Sequence, residues 1–207
     1  MLNSEKLYTS IAKLYDLINW LNGYKRAADY FVRQLPFKTD ASIRVLDAGC
    51  GTGLYSLAIL KRFPNAQLVA FDLNEAMARK METNLDREGF RKRAKVFVAD
   101  AMSSLPEIEQ NFDLIVAGGL LECVDIGKAV KNSSRFLIIG GYFLNSPVRD
   151  NIWGWVAGEL MGFVPHSKQQ NIRAFEQGGF KLQKIIKLSW LYLLISLVKE
   201  AHIFQKI

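Results

Sequence analysis

An apolar, β-branched run (Ile43, Val45, Leu46) stops at Asp47, and Gly49, Gly51 and Gly53 then alternate with Ala48, Cys50 and Thr52. An amphipathic stretch from Leu54 to Phe63 follows at once. This order prescribes a strand, a tight turn and a helix N-terminus, where backbone N–H groups can approach a polar ligand closely. A phosphate would be repelled by the Asp47 carboxylate. A cationic amine beside that carboxylate fits better.

The rest of the chain repeats the alternation. Strands are expected at Ile43–Asp47, Gln67–Phe71, Lys95–Ala99, Phe112–Val116 and Tyr142–Ser146, the last entered through a turn at Gly140-Gly141. Helices are expected at 54–63, at 74–88 (closed by Gly89) and at 125–137, with a helical turn near 103–109. Upstream, Leu7, Ile11, Leu14, Leu17 and Ile18 recur at helical spacing. Asn22-Gly23 breaks that run, and a second helix from about Tyr24 ends at Pro36. Strands separated by helices imply right-handed crossovers and a mostly parallel sheet. In such a sheet the ligand lies beyond the carboxyl ends of the strands. The loops after 47, 71, 99, 116 and 146 are therefore the ones that matter.

With 207 residues, half of them hydrophobic, the chain can bury a sizeable core as one domain. Its parts are a helical cap over 1–36, a binding core over 43–146, further helices over 147–178 and a terminal hairpin over 179–207. Cys50 and Cys123 have no metal spacing, so no metal site is expected. They need no disulfide, and Met1 to Ile11 lacks the pattern of a signal peptide, so a cytoplasmic location is expected. The net charge is +7, densest at Arg87–Lys95. That cluster reads either as an electrostatic footprint for an anionic partner or as a solvated loop. No aromatics interleave with it as single-strand binding would require, so no nucleic acid is expected.

Asp72 falls nineteen residues past Gly53, where an acidic residue is placed to bind two ribose hydroxyls. Asp100 ends the third strand, where it either accepts a bond from an exocyclic amine or caps the turn that follows. A ligand with an adenine, a ribose, a cationic amino-acid end and no phosphates satisfies all three aspartates. S-adenosylmethionine has that description. The residues resemble the class I S-adenosylmethionine-dependent methyltransferases over 43–146: Asp47, Gly49, Gly51 and Gly53 match the first motif, and Asp72 and Asp100 the acidic positions after strands two and three. Phe112–Val116 resembles the family's fourth strand, and Arg135–Gly141 its lead-in to strand five, with Ile139 where proline is usual.

The resemblance implies a three-layer Rossmann-like α/β fold, with a seven-stranded, mostly parallel sheet, an antiparallel C-terminal strand and N-terminal helices. By it, Gly49, Cys50, Gly51 and Gly53 pass under the methionine moiety, Asp72 holds the ribose, Asp100 and Ala101 face the adenine, and Gly118 lies near the reactive methyl. Leu73 packs on the adenine. Met77 either does the same or belongs to the helix core. Tyr8 and Tyr15 either close over the cofactor or pack on the sheet edge. The segment Tyr15-Asp16-Leu17-Ile18-Asn19 is similar to the opening of the ubiquinone and menaquinone C-methyltransferases, although the histidine and tryptophan expected downstream are absent. The implied activity is methyl transfer to a small molecule, leaving S-adenosylhomocysteine. RNA or protein methylation and a non-catalytic cofactor-binding module are the alternatives. A nicotinamide oxidoreductase is disfavoured, since its third fingerprint glycine falls at Leu54.

Positioning alone can supply about 7–11 kcal/mol of the barrier reduction, so a dedicated base is dispensable. Glu122 and His166 are the candidates for one, although a histidine in such a polar stretch more often reads as a surface residue. Ala117-Gly118-Gly119-Leu120 lacks the prolines of adenine amino-methylation, and Cys123, without the setting of a nucleophile, is read as a small buried residue. The apolar run Ile152, Trp153, Trp155, Val156, Leu160, Met161 and Phe163 either roofs a hydrophobic or aromatic acceptor or covers the sheet. About ten apolar residues over 189–198 are too few to span a bilayer, which needs roughly 20. They are placed to dip into a membrane interface or to pack as a connecting helix. The oligomeric state is open.

Overall fold

The computed structural model describes residues 23–103, 111–188 and 198–207. Tyr8, Tyr15, nearly all of the turn expected at 103–109 and nearly all of the apolar run 189–198 lie outside them. Seven strands form one sheet: β1 (Arg44–Ala48), β2 (Gln67–Asp72), β3 (Ala94–Val98), β4 (Phe112–Gly118), β5 (Leu137–Ser146), β6 (Phe180–Lys187) and β7 (Glu200–Lys206). Their spatial order is β3-β2-β1-β4-β5-β7-β6. The first five pair in parallel, and β7 runs antiparallel to both β5 and β6. The fold is the Rossmann-like α/β class, and its chain reverses strand order beside β1, between β1 and β4.

Among the described residues, six α-helices accompany the sheet: α1 (Tyr24–Val32), α2 (Leu54–Arg62), α3 (Glu75–Arg87), α4 (Ile126–Ser134), α5 (Ile152–Met161) and α6 (Lys168–Gln177). One apolar cluster joins α1, α2 and α3 to one face through Phe31, Ile59 and Met81. A second joins α4 and α6 to the other through Val130 and Phe175, where Phe175 stacks on Phe204 at 3.9 Å between ring centroids. Side-chain caps start four of these helices, α3 to α6. Asn74 accepts from Met77 N–H at 3.2 Å, Asp125 from Lys128 N–H at 2.9 Å, and Ser167 with Gln170 forms a reciprocal capping box.

Four expectations change. α1 ends at Val32, ahead of Pro36, with a turn between. The pair Gly140-Gly141 lies inside β5 instead of leading into it. Between the pairs Phe112–Leu137 and Leu114–Tyr142, β5 spends three more residues than β4, and Gly140 takes φ 79° to absorb that bulge. Two cations of the basic cluster are engaged within the protein. Arg91 pairs with Glu82 at 2.6 Å, and Arg93 donates to the carbonyls of Leu60, Phe63 and Pro64 at 2.9–3.1 Å, capping the end of α2. Finally, α5 does not cover the sheet: Ile152, Trp153, Trp155, Val156 and Leu160 are exposed, and its buried residues are Gly154 and Gly158.

Candidate active site

Three left-handed glycines build the turn after β1, with φ of 68° at Gly49, 53° at Gly51 and 89° at Gly53. A side chain at Gly49 would strike Leu120 at 2.9 Å and one at Gly53 would strike Met81 at 2.9 Å, whereas the place of a Cβ on Gly51 is open space. The turn is locked from β2. Gly51 N–H donates to Asp72 Oδ2 at 2.8 Å and Cys50 N–H to Phe71 O at 2.9 Å. Asp72 Oδ1 also accepts from Asn74 N–H at 2.9 Å, so one carboxylate fixes the first and second loops together.

These loops border a cavity of about 240 Å³. Gly49, Gly51, Asp72, Leu73, Met77, Asp100, Ala101 and Gly118 all line it, and Met77 is at once a buried core residue and a wall. Asp100 does its capping work as well, accepting from Met102 N–H at 2.8 Å. A smaller pocket of about 40 Å³ shares Gly49, Gly51 and Gly118 and adds Asp47 and Cys50. Gly53 lines neither pocket and serves the turn and the approach of α3.

Asp47 is 2% exposed and accepts a short hydrogen bond from Ser56 Oγ. Burial pushes its carboxyl up to about 7 against the Ser56 bond, with the nearby Asp72 charge adding to the rise. Burial also raises Asp72 above its ordinary range, opposed by the bonds from Asn74 and Gly51. Two carboxylates costly to ionise together call for a cation between them.

Glu122 and His166 do not line the cavity. The buried Glu122 accepts from Val148 N–H through Oε1 at 3.1 Å, its backbone carbonyl accepts from Val164 N–H at 2.9 Å, and its Oε2 has no partner. Burial lifts this carboxyl to about 7. Half-buried His166 is held through Nε2 at 3.1 Å from the Leu121 carbonyl. Cys123, expected to be buried, is exposed and borders the cavity, because the loop after β4 turns it outwards from the core.

Sequence reasoning missed Tyr24, Tyr55, Leu120, Val124 and Gly162. Tyr24 and Tyr55 border the smaller pocket and close over Gly118, where a Cβ would meet the Tyr55 ring at 2.5 Å and the Tyr24 hydroxyl at 2.9 Å. Helical periodicity assigns both tyrosines to core. A glycine where β4 leaves the sheet was the signal that bulky neighbours lean in.

A glycine turn at the carboxyl edge of a parallel sheet, held by an aspartate from the next strand, defines a Rossmann-like nucleoside-binding site. The family model described as a methyltransferase domain matches residues 45–141, and this segment is similar to the class I S-adenosylmethionine-dependent methyltransferases. The demethylmenaquinone methyltransferase of Leptospira interrogans is 29% identical over 157 residues, covering 72% of this chain and 63% of that protein. The ubiquinone/menaquinone biosynthesis C-methyltransferase of Dinoroseobacter shibae is 32% identical over 139 residues, covering 65% of this chain and 54% of the relative. The chain thus spans less than two thirds of the length of these relatives. Among solved structures, the geranyl diphosphate C-methyltransferase of Streptomyces coelicolor A3(2) superposes with TM-score 0.72 at 14% identity, over 88% of this chain and 80% of that one. The [4+2]-cyclase SpnF superposes with TM-score 0.75 at 16% identity, over 98% and 96%. At such identities the superpositions show the fold.

The family's cofactor is S-adenosylmethionine, and the residues present fit it. The open space at Gly51, the buried Asp47 and half-buried Asp72 carboxylates and the apolar pair Leu73 and Met77 supply a close backbone approach, acceptors for cation and hydroxyls, and a surface for a flat ring.

Proposed function

We propose that this protein transfers a methyl group from S-adenosylmethionine to a small, apolar or aromatic, lipid-like acceptor. One observation carries the reading: Asp72 and Asp100 line one cavity together with the Gly49–Gly53 turn, and Asp47 lines the pocket that opens beside it. The three carboxylates suit a cationic nucleoside and repel a phosphorylated one. When bound, the cofactor supplies an electrophilic methyl. Asp72 would accept from the ribose hydroxyls, Asp47 would face the ammonium end, and Asp100 with Ala101 would border the adenine. Cys50 and Gly53 shape the turn beneath. Tyr15 lies outside the described residues.

Beyond Gly118 the wall consists of Leu120, Cys123, Val124 and Gly162, a surface that excludes water and offers an acceptor apolar contact. None of these residues is a competent base: Leu120, Val124 and Gly162 carry no titratable side chain, and the Cys123 thiol donates to the Gly119 carbonyl at 3.6 Å. Rate enhancement then comes from holding acceptor and methyl in line. Glu122 positions the loops after β5 and α5 on which that wall depends. Within the densest basic cluster, Arg91 and Arg93 are engaged inside the protein, which makes that cluster a poorer footprint for RNA.

Calorimetry with S-adenosylmethionine and S-adenosylhomocysteine is expected to show saturable binding, and Asp72→Ala to weaken it about 100-fold. A wild-type protein that binds neither overturns the proposal. Labelled cofactor offered with quinols, lipids, small amines and RNA is expected to label only an apolar class, and transfer to RNA alone would overturn the acceptor assignment.

A further inference from the structure

α5 presents an inverted pattern. Most surface helices turn apolar side chains inwards, but here the inner positions are glycines. A Cβ on Gly154 would fall 1.8 Å from the Arg149 carbonyl, and one on Gly158 would fall 2.5 Å from the Phe163 carbonyl. The helix therefore lies flush on its own flanking loops, and its bulk points outwards. Ile152 is 74% exposed, Trp153 69% and Leu160 66%, with Trp155 and Val156 about half exposed and Val164 continuing the patch past the helix end. Half of the exposed large hydrophobic residues in the described part of the molecule fall within 152–164. Contiguous apolar surface on this scale marks a binding face.

We infer that the outer face of α5 seats the protein on a lipid bilayer, and that the apolar acceptor reaches the cavity from the membrane. This rests on the methyl-transfer reading for its purpose, though not for its test. Three observations select a bilayer as the occupant. The patch runs into the cavity, since Gly162, the residue capping α5, lines it. The chain carries +7, with exposed Lys168 and Arg173 on the next helix, which favours anionic lipid headgroups. Two tryptophans lie on the face, and the Trp155 indole N–H is already satisfied by Asp150 at 3.0 Å, leaving ring carbon to meet lipid. Self-association suits the face less well. Glu159 lies among the apolar residues, and a two-fold pairing would close two such carboxylates into one seam, whereas at a bilayer surface a single carboxylate can reach water. At ten residues α5 is too short to cross, and no helix among the described residues is long and apolar enough to do so, so it lies in the interface plane.

Flotation with vesicles of phosphatidylcholine and phosphatidylglycerol at 7:3 tests this. Wild type is expected to float with them, more weakly with phosphatidylcholine alone, and with a blue shift of tryptophan emission. The double variant Trp153→Ser, Leu160→Ser changes only exposed side chains. It is expected to lose vesicle binding at least tenfold while binding S-adenosylmethionine as wild type does. Absence of wild-type binding overturns the inference, as does equal binding by the variant. A wild-type dimer that the variant converts to monomer, without vesicle binding, assigns the face to a second copy and also overturns it. Cofactor affinity is read separately, so failure here leaves the methyltransferase reading standing.

Discussion

Asp47 sits 2% exposed beside Asp72, and its proton is held up to a pH of about 7. A cationic ligand end favours the ionised carboxylate, so binding should release a proton in the range below that value. S-adenosylmethionine affinity is therefore expected to rise from pH 5 to about pH 7 and to level off above it, and Asp47→Asn to flatten the profile. Calorimetry in buffers of different ionisation enthalpy would count the proton. Glu122 tells a similar story through stability. Its carboxyl, ordinarily near 4.5, is lifted to about 7 by burial, so the folded state holds the proton more tightly than the unfolded chain. The stabilisation is full below 4.5 and is lost as pH rises through about 7. The melting temperature is expected to fall from pH 5.5 to pH 8, and Glu122→Gln, which keeps an acceptor for Val148 N–H, to reduce that slope. A slope unchanged in the variant would remove Glu122 as its source.

Among the elements, the end of α2 depends on a side chain thirty residues away. Arg93 serves three carbonyls there, and Arg93→Ala is expected to cost about 1–2 kcal/mol by denaturant titration. Arg93 also shows why some features escape sequence reading. Within Arg91-Lys92-Arg93 the sequence displays charge, but its partners are backbone carbonyls brought close only by the β2–β3 crossover. The strands and helices of 43–134 were legible because their periodicities and caps are local. Asp47, Asp72 and Asp100 were legible because motif spacing fixes which strand ends carry them. The bulge at Gly140-Gly141 was not, since a glycine pair reads equally as a turn outside a strand. The outward face of α5 was hidden too: an apolar run records which residues are hydrophobic but not which way they point, and only Gly154 and Gly158 decide that. Tyr24 and Tyr55 reach the small pocket through tertiary approach to Gly118, and their own local sequence shows only helical periodicity.

At the scale of the whole molecule, the loops after β1, β2, β3 and β4 all border the cavity, so a cofactor bound there should stabilise the sheet as a unit. At a ligand concentration 100-fold above the dissociation constant the gain is about 2.7 kcal/mol. For a chain of this length that raises the melting temperature by on the order of 5–10 °C, readable by calorimetry. A thermogram in which only part of the transition shifts would divide the sheet into independent units.

The placement of β7 between β5 and β6 has a consequence for how the chain is made. β6 emerges from the ribosome first, yet every pairing that anchors it to the sheet is with β7. Residues 180–187 must therefore wait, unpaired, until 200–206 have been synthesised and slotted in beside β5. The order of synthesis and the order of assembly are opposed at this one edge. During that interval a nascent chain carries an open β5 edge beside Phe143 and Leu144, the moment at which a chaperone or a neighbouring nascent chain can compete for it.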